Sequence, residues 1–271
     1  MKIVTITGNE DRHQFFRKFI NKQETINVIF SVIENLKNSQ TSKVLKNKKN
    51  LRYRHFLERR KEEKLFFKKH LKDLKDVKNK IMINKGALND NKKLIDKIIR
   101  LKPDIIFSYG CSLIKNQLIK KYKKKFINLH LGLSPYYRGS GTNYWPLVNK
   151  EPHFLGATFM FIDEGVDTGE TIFQFRPKIN SNDSIHTIGN RIIFDAANYF
   201  LKIIKNLRKH KKKKIFYNSK VRKYYKNKDF SEISVKKLKQ NFKKSMLVNY
   251  INNKTEIDKT FKINDLLIKY F

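Results

Sequence analysis

The chain has 271 residues and a formal charge of +37, with 61 lysines and arginines against 24 acidic residues. Its 39% hydrophobic and 13% aromatic residues are enough to bury a core, which argues against intrinsic disorder. No stretch approaches the ~18 uncharged apolar residues of a membrane-spanning helix, and the N-terminus lacks the long apolar segment of a signal peptide. The single cysteine, Cys111, excludes an internal disulfide and a zinc site built on several thiolates. We therefore expect a cytoplasmic protein of one or two domains.

The positive charge lies in the two flanks of the chain. Residues 1–125 have a net charge of +22 and residues 201–271 of +17, whereas residues 126–200 have −2. Only 12 of the basic residues are arginine, the residue on which specific readers of bases and phosphates mostly rely. A solvated lysine-rich surface is therefore the favoured interpretation, with nucleic-acid binding as the alternative. For the lysine run 211–214, a membrane surface bearing anionic lipid is a third option.

Short apolar runs alternate with amphipathic segments over the first half of the chain. Strands are predicted at residues 2–7, 26–33, 80–84, 104–109 and 126–131. Helices are predicted at residues 11–21, 57–77, 91–101 and 112–122. This alternation predicts an α/β fold with an open, mostly parallel sheet flanked by helices. Ligands then bind at the edge formed by the carboxyl ends of the strands.

After residue 150 the pattern changes. Strands are predicted at 155–162 and 171–175, separated by the loop 163–170, DEGVDTGE. A Ser/Asp-rich capping signal at 180–184 precedes a long helix at 185–207. We expect a main domain at 1–207, followed by a small, basic, mainly helical extension at 208–271.

Two polar side chains stand at the end of an otherwise apolar strand. Asn128 and His130 are two residues apart, so both face the same side of the sheet. A single histidine there could be a hydrogen-bonded core residue, but two buried polar groups must be paired or functional. The four acids of the loop 163–170 do not match the spacing of a calcium-binding EF-hand, and the loop alone could be a surface hairpin.

Three motifs in order point to a family: Asn128-Leu129-His130, then Ser134-Pro135, then Val166-Asp167-Thr168-Gly169. This pattern resembles the folate-dependent formyltransferases, whose catalytic domain is shared by the phosphoribosylglycinamide, methionyl-tRNA and sugar N-formyltransferases. The resemblance covers residues 80–200 well and the N-terminal strands more loosely. It implies a Rossmann-like sheet, a catalytic domain at 1–207, and formyl transfer from 10-formyltetrahydrofolate to a primary amine without a metal.

The resemblance also implies roles for individual residues. Asn128 would donate a hydrogen bond to the formyl oxygen as it becomes charged. His130 would stabilise that oxyanion or shuttle the proton, and Asp167 would orient His130 or a relay water. The implied folate-binding residues are Ser108, Tyr109, Gly110, Asp163, Glu164, Gly165, Val166 and Thr168. The candidates for binding the acceptor are Gly8, Asn9, Arg12, Ser134, Tyr136 and Arg138. For Tyr136 packing is the favoured interpretation, and Arg138 could equally fold the loop onto an acid.

The expected acceptor is a small-molecule amine, although a charged tRNA is also possible. Three candidates are left open. Gly8-Asn9 matches the phosphate loop of the phosphoribosylglycinamide enzymes, but Glu10 and Asp11 disfavour a phosphate unless Arg12 compensates. The methionyl-tRNA enzymes carry a C-terminal β-barrel of ~100 residues, whereas 64 residues follow Leu207 here. A nucleotide-linked amino sugar is therefore the expected acceptor, with phosphoribosylglycinamide second and charged tRNA third. The alternative of a different class is a non-catalytic, lysine-rich protein that binds nucleic acid or a membrane surface.

Overall fold

The computed structural model describes residues 1–35, 50–115, 117–209 and 222–271. The strands in these ranges are β1 Lys2–Gly8, β2 Asn27–Asn35, β3 Lys80–Asn84, β4 Ile105–Tyr109, β5 Phe126–His130, β6 Tyr137–Gly139, β7 Ala157–Phe161, β8 Thr171–Phe175 and β9 Lys223–Tyr225. The α-helices are α1 Asp11–Asn21, α2 Leu51–Leu71, α3 Lys92–Arg100, α4 Leu118–Lys121, α5 Trp145–Val148, α6 Ile185–Asn206, α7 Glu232–Lys243 and α8 Met246–Thr260. Short 3₁₀ turns occupy Ala87–Asn89, Pro152–Phe154, Leu207–Lys209, Asn227–Asp229 and Leu266–Tyr270.

Seven of the strands form one sheet in the order β3-β2-β1-β4-β5-β7-β8. Neighbouring strands are parallel from β3 to β5, whereas β7 runs antiparallel to both β5 and β8. The remaining two, β6 and β9, pair in parallel as a separate ribbon. The predicted α/β class and mostly parallel sheet are thus confirmed.

The sheet is covered on both faces, as its apolar strands require, except at the edge strand β3, where Ile81 and Met82 are exposed. Along β1, Ile3 belongs to the core cluster on the α1 and α6 side, and its neighbour Val4 belongs to the cluster on the α3 side. On the first side Phe16 of α1 stacks on Phe107 of β4, with ring centroids 4.8 Å apart. Successive side chains of a strand point to opposite faces, so a strand buried on both faces has to be apolar throughout.

Two predicted helices differ from those observed. The first was placed at 57–77, but α2 begins at Leu51 because Asn50 caps it by accepting a hydrogen bond from the Arg52 amide. The second was placed at 112–122, but only Leu118–Lys121 is helical in the described part of that segment. The amides of Ser112 and Lys115 donate instead to side chains of other segments, which prevents a regular helix there.

The C-terminal segment packs directly on the rest of the chain. Val235 and Leu238 of α7 and Leu247 of α8 belong to the same hydrophobic cluster as the α1 face of the sheet. The buried Asn241 donates two hydrogen bonds to carbonyls of α5. Helices α7 and α8 agree with the mainly helical extension that the sequence predicts, while residues 211–214 lie outside the described residues. Among the described helices, none has the length and apolarity that crossing a bilayer requires.

Candidate active site

The carboxyl end of β5 opens onto a cavity of about 520 Å³, which Asn128 and His130 both line. Asn128 lies directly beside Ser108 of β4, and the Ser108 hydroxyl donates a 2.9 Å hydrogen bond to its Oδ1 atom. Because the carbonyl oxygen of the side chain is engaged, its NH₂ group is the donor that Asn128 offers to a bound molecule. Parallel strands bring their carboxyl ends to one edge, and this is why two strands meet at the site.

His130 is held on both sides of its ring. Its Nδ1 atom lies 3.1 Å from Oδ1 of Asp167, and its Nε2 atom lies 3.1 Å from the carbonyl oxygen of Tyr137. The side chain is almost completely buried. These two contacts fix the plane of the imidazole. Because a carboxylate oxygen accepts, Asp167 determines that Nδ1 carries a hydrogen, and Nε2 can donate to the Tyr137 carbonyl only when it is protonated as well.

Asp167 is held in turn by β6. The Gly139 amide donates a 2.9 Å hydrogen bond to Oδ2 of Asp167. The backbone of Asp167 itself has a left-handed φ of +53°. Burial alone would raise the pKa of Asp167, but His130, the Gly139 amide and the Arg138 guanidinium outweigh it and hold that pKa below its usual range. Asp167 is therefore ionised at neutral pH and faces His130 as a carboxylate.

The facing wall of the cavity carries a network of four charged side chains. Arg12 pairs with Glu10 and, at 2.8 Å, with Glu63, and Arg59 pairs with Glu10 at 2.9 Å. Burial acts to raise the pKa of Glu10, but Arg12 and Arg59 outweigh it and lower that pKa to about 2. Two guanidinium groups thus face two carboxylates, so this wall has no net charge. The network ties the loop after β1 to α2.

Aromatic rings and two histidines line the remaining side of the cavity. The rings of His55 and His186 lie 4.9 Å apart, and Phe230 lies 5.6 Å from His55 and 5.1 Å from Tyr144. Burial lowers the pKa of His55 to about 3 and that of His186 to about 4. Both histidines are therefore neutral at pH 7. Phe230 comes from the C-terminal segment, which also contributes Lys226 and Asn227 to the lining.

Part of the predicted folate set reaches this cavity. Tyr109 and Gly110 line it, whereas Ser108 lies behind Asn128 and supports it. Of the loop after β7, Asp167 is the residue that lines the cavity. Its neighbours stabilise the turn itself: Asp163 accepts hydrogen bonds from the Gly165 amide at 3.0 Å and the Thr168 hydroxyl at 2.8 Å. Glu164 is exposed, 3.9 Å from Lys120. Folate contacts by all eight of these residues stay predictions: Ser108, Tyr109, Gly110, Asp163, Glu164, Gly165, Val166 and Thr168.

The predicted acceptor-binding residues are divided in the same way. Arg12 lines the cavity but is already paired with two carboxylates. Gly8 packs so closely on His13 and Gly110 that a side chain would not fit, and Asn9 lies 3.4 Å from Asn35. Ser134 donates to the Asp167 carbonyl. Tyr136 is 1% exposed and donates to the Lys262 carbonyl, which agrees with packing. Arg138 does not line the cavity, but its guanidinium helps to lower the pKa of Asp167. Substrate contacts by these residues stay predictions.

The polar face of α2 is not among the site residues that the sequence predicts. His55, Arg59 and Glu63 are spaced four residues apart, so they form one stripe on a helix, and Phe67 continues it into the core. Charged residues in line with a buried phenylalanine are a signal that could have identified this face. No comparable signal in the sequence marks Phe230.

Two further observations concern possible metal ligands and the single cysteine. Within the described residues, no group of three or more His, Cys, Asp and Glu side chains is arranged to hold a metal ion. Cys111 lines the cavity, but burial and, to a lesser degree, Glu34 raise the pKa of its thiol. Cys111 is therefore protonated at neutral pH and is a poor nucleophile.

Comparison with known proteins adds a family and a fold. The family model described as "Formyl transferase" matches residues 1–204. The chain is 33% identical over 109 residues to a methionyl-tRNA formyltransferase from Desulforamulus reducens, which is 40% of this chain and 34% of that protein. The chain thus spans about a third of the length of this curated relative.

Two solved structures share the fold at low sequence identity. An N-formyltransferase from Helicobacter canadensis, in complex with folinic acid and dTDP-3-aminofucose, is 18% identical with a TM-score of 0.54, over 89% of this chain and 81% of that one. A phosphoribosylglycinamide formyltransferase from Anaplasma phagocytophilum is 13% identical with a TM-score of 0.53, over 77% and 87% of the two chains.

Proposed function

The chain belongs to the formyl transferase family, and from this membership we propose that it transfers a formyl group from 10-formyltetrahydrofolate to a primary amine. The observation that carries the proposal is the meeting of Asn128, His130 and Asp167 at one end of a single cavity. Binding alone does not need an amide donor beside a histidine that a buried carboxylate orients. We place the reaction in the cytoplasm as part of the same proposal.

The residues of the site fit the chemistry of this transfer. The cavity of about 520 Å³ has the size of a small-molecule site, typically ~300–1,000 Å³. The bound donor supplies an electrophilic formyl carbon. The NH₂ group of Asn128 donates a hydrogen bond where negative charge develops on the formyl oxygen. Nε2 of His130 takes up the proton that leaves the attacking amine and returns it to the folate nitrogen as the bond from that nitrogen to the formyl carbon breaks. Asp167 stabilises the ring while it carries the proton.

For the acceptor, we propose the amine of a nucleotide-linked amino sugar. The wall formed by Glu10, Arg12, Arg59 and Glu63 has no net charge, and this disfavours the phosphate of phosphoribosylglycinamide at the loop after β1. Rings such as Phe230 offer flat surfaces to the apolar face of a sugar or a base. The neighbour from Helicobacter canadensis holds dTDP-3-aminofucose, which is an acceptor of this class.

Methionyl-tRNA is the second candidate. The observation in its favour is that the curated relative from Desulforamulus reducens is a methionyl-tRNA formyltransferase. The net charge of +37 is compatible with a polyanionic substrate, because lysines attract phosphates and release counterions.

The release of tetrahydrofolate with a panel of amines tests the proposal. The panel contains dTDP-3-aminofucose, phosphoribosylglycinamide and methionyl-tRNA, and we expect the sugar nucleotide to have the highest kcat/KM. His130→Ala should lower kcat by at least ~100-fold because it removes the proton carrier. His70→Ala, on α2 and outside the cavity, is the matched control. Absence of turnover with all three amines, together with tight and salt-sensitive RNA binding, would support the non-catalytic alternative.

A further inference from the structure

The short strand β9 lies beyond residue 204, where the family match ends. It pairs in parallel with β6, and the backbone hydrogen bonds from Lys223 to the Tyr136 carbonyl and from Ser140 to the Tyr225 carbonyl are both 2.8 Å long. In the described part of the chain, β6 pairs with no other strand. A ribbon of two short strands is only marginally stable by itself, so β6 depends on what holds β9.

The backbone of β6 contacts both members of the His130–Asp167 pair. The Tyr137 carbonyl lies 3.1 Å from Nε2 of His130, and the Gly139 amide donates to Oδ2 of Asp167 at 2.9 Å. These two contacts come from positions two residues apart on one strand. Any displacement of β6 therefore changes the surroundings of the histidine and of the carboxylate together.

Side chains anchor β9 from both of its ends. The Tyr225 ring stacks on Trp145 at 4.1 Å with an angle of 7° between the rings, and its hydroxyl accepts a 2.9 Å hydrogen bond from Asn149. Lys223 pairs with Glu151 at 2.7 Å. Trp145, Asn149 and Glu151 all belong to α5 or the segment after it, so β9 is tied to the region that follows β6.

At Gly139 the backbones of β6 and β9 approach each other too closely to leave room for a side chain. Its φ is +90°, and a Cβ atom there would lie 2.1 Å from the carbonyl oxygen of Tyr225. A side chain at this position would force β6 and β9 apart. The fit of β6 against β9 is thus built into the backbone at the residue whose amide binds Asp167.

We propose that β9 positions the catalytic pair: Tyr225, clamped on Trp145, holds β6 in register, and β6 holds His130 and Asp167. This inference rests on the proposed function, because it assigns a role in the reaction to a segment outside the matched domain. Tyr225 does not line the cavity, so it acts through β6 as a positioning residue.

The test is Tyr225→Ala, assayed by steady-state kinetics over a range of pH. We expect kcat to fall roughly 10- to 100-fold, because a small misplacement of catalytic groups is costly, while both KM values change less than ~3-fold. His130, the Gly139 amide and Arg138 together lower the pKa of Asp167. Loss of that amide removes a donor to the carboxylate, so the acid limb of the kcat profile should move to higher pH. Tyr224→Ala, which removes a 48% exposed ring from the same strand, should leave kcat and the profile unchanged.

A second measurement separates this proposal from the proposed function. The ring chemical shifts of His130, measured by NMR with ¹³C-labelled histidine, report on its contacts with Tyr137 and Asp167 without any turnover, and they should differ between the wild-type protein and Tyr225→Ala. If Tyr225→Ala does not fold, Tyr225→Leu retains apolar volume at the site and carries the same test. Unchanged His130 ring chemical shifts in the folded variant would overturn the proposal, and so would a kcat and pH profile equal to those of the wild-type enzyme. If the wild-type chain turns over no amine and the His130 ring chemical shifts still differ between it and Tyr225→Ala, only the proposed function is overturned.

Discussion

Asp167→Asn removes the negative charge beside His130 and keeps the size of the side chain and one oxygen for the Gly139 amide. His130 and Asp167 are both largely buried, and their closest nitrogen and oxygen atoms lie 3.1 Å apart. At an effective dielectric constant of ~20, two unit charges at this distance attract by about 5 kcal/mol. This sets an upper value for what the carboxylate contributes when the ring is protonated.

The amide retains a hydrogen bond to the ring, so only part of that energy is lost. We expect the activation free energy to rise by about 3–4 kcal/mol, which lowers kcat by ~10²- to 10³-fold. The assay is tetrahydrofolate release at saturating donor and acceptor. The KM values should stay within a few-fold of wild type, because Asp167 acts on the ring and not through ground-state binding.

Glu170→Gln is the matched control, since Glu170 lies in the same loop, is not among the predicted folate-binding residues and does not line the cavity. This variant should keep kcat within a few-fold of wild type. A kcat of Asp167→Asn within ~5-fold of wild type would refute the role given to the ion pair. Equal losses in the two variants would show that the loop conformation, and not the charge, is what matters.

Glu10→Gln should lower the free energy of unfolding at pH 7 by about 2–3 kcal/mol, because the pKa of Glu10 falls from 4.5 to about 2 on folding. A lowered pKa stabilises the fold above the unfolded pKa, so urea unfolding should show this difference shrinking as the pH falls from ~5 to ~2; a difference independent of pH would contradict it. Phe230→Ala should raise the KM of the acceptor ~10-fold through lost ring packing and leave the KM of the formyl donor unchanged. Ile233→Ala, 78% exposed in the same segment, is its control, and an increase confined to the donor KM would show that Phe230 lies on the folate side.

The family assignment could be made from local patterns. The Asn128-x-His130, Ser134-Pro135 and Asp167 motifs predict a formyltransferase, and the family match over residues 1–204 confirms that prediction. The strands of the main sheet were also predicted. All of them except the largely exposed edge strand β3 are buried, and a strand buried on both faces needs a continuous apolar run whatever its neighbours are. Asn128 and His130 share a face because of the two-residue period of a strand, which follows from local geometry alone.

The rest of the site depends on contacts between distant segments. Glu10 and Arg59 are an ordinary acid and base in the sequence, and they become a buried network only because α2 packs against the loop after β1. The pairing of Ser140 with Tyr225, and with it the support of Asp167, joins segments that no local periodicity connects.

The sequence by itself thus determined the family, the mostly parallel sheet and the edge at which the predicted catalytic residues stand. These follow from the apolar pattern of each strand and from motifs a few residues long. Only the tertiary structure decided which residues complete the cavity. It also decided that the wall formed by Glu10, Arg12, Arg59 and Glu63 has no net charge. It further decided that β9 pairs with β6, whose backbone contacts His130 and Asp167. Those properties arise from the packing of distant segments, because the charge and role of a buried side chain depend on its neighbours in space.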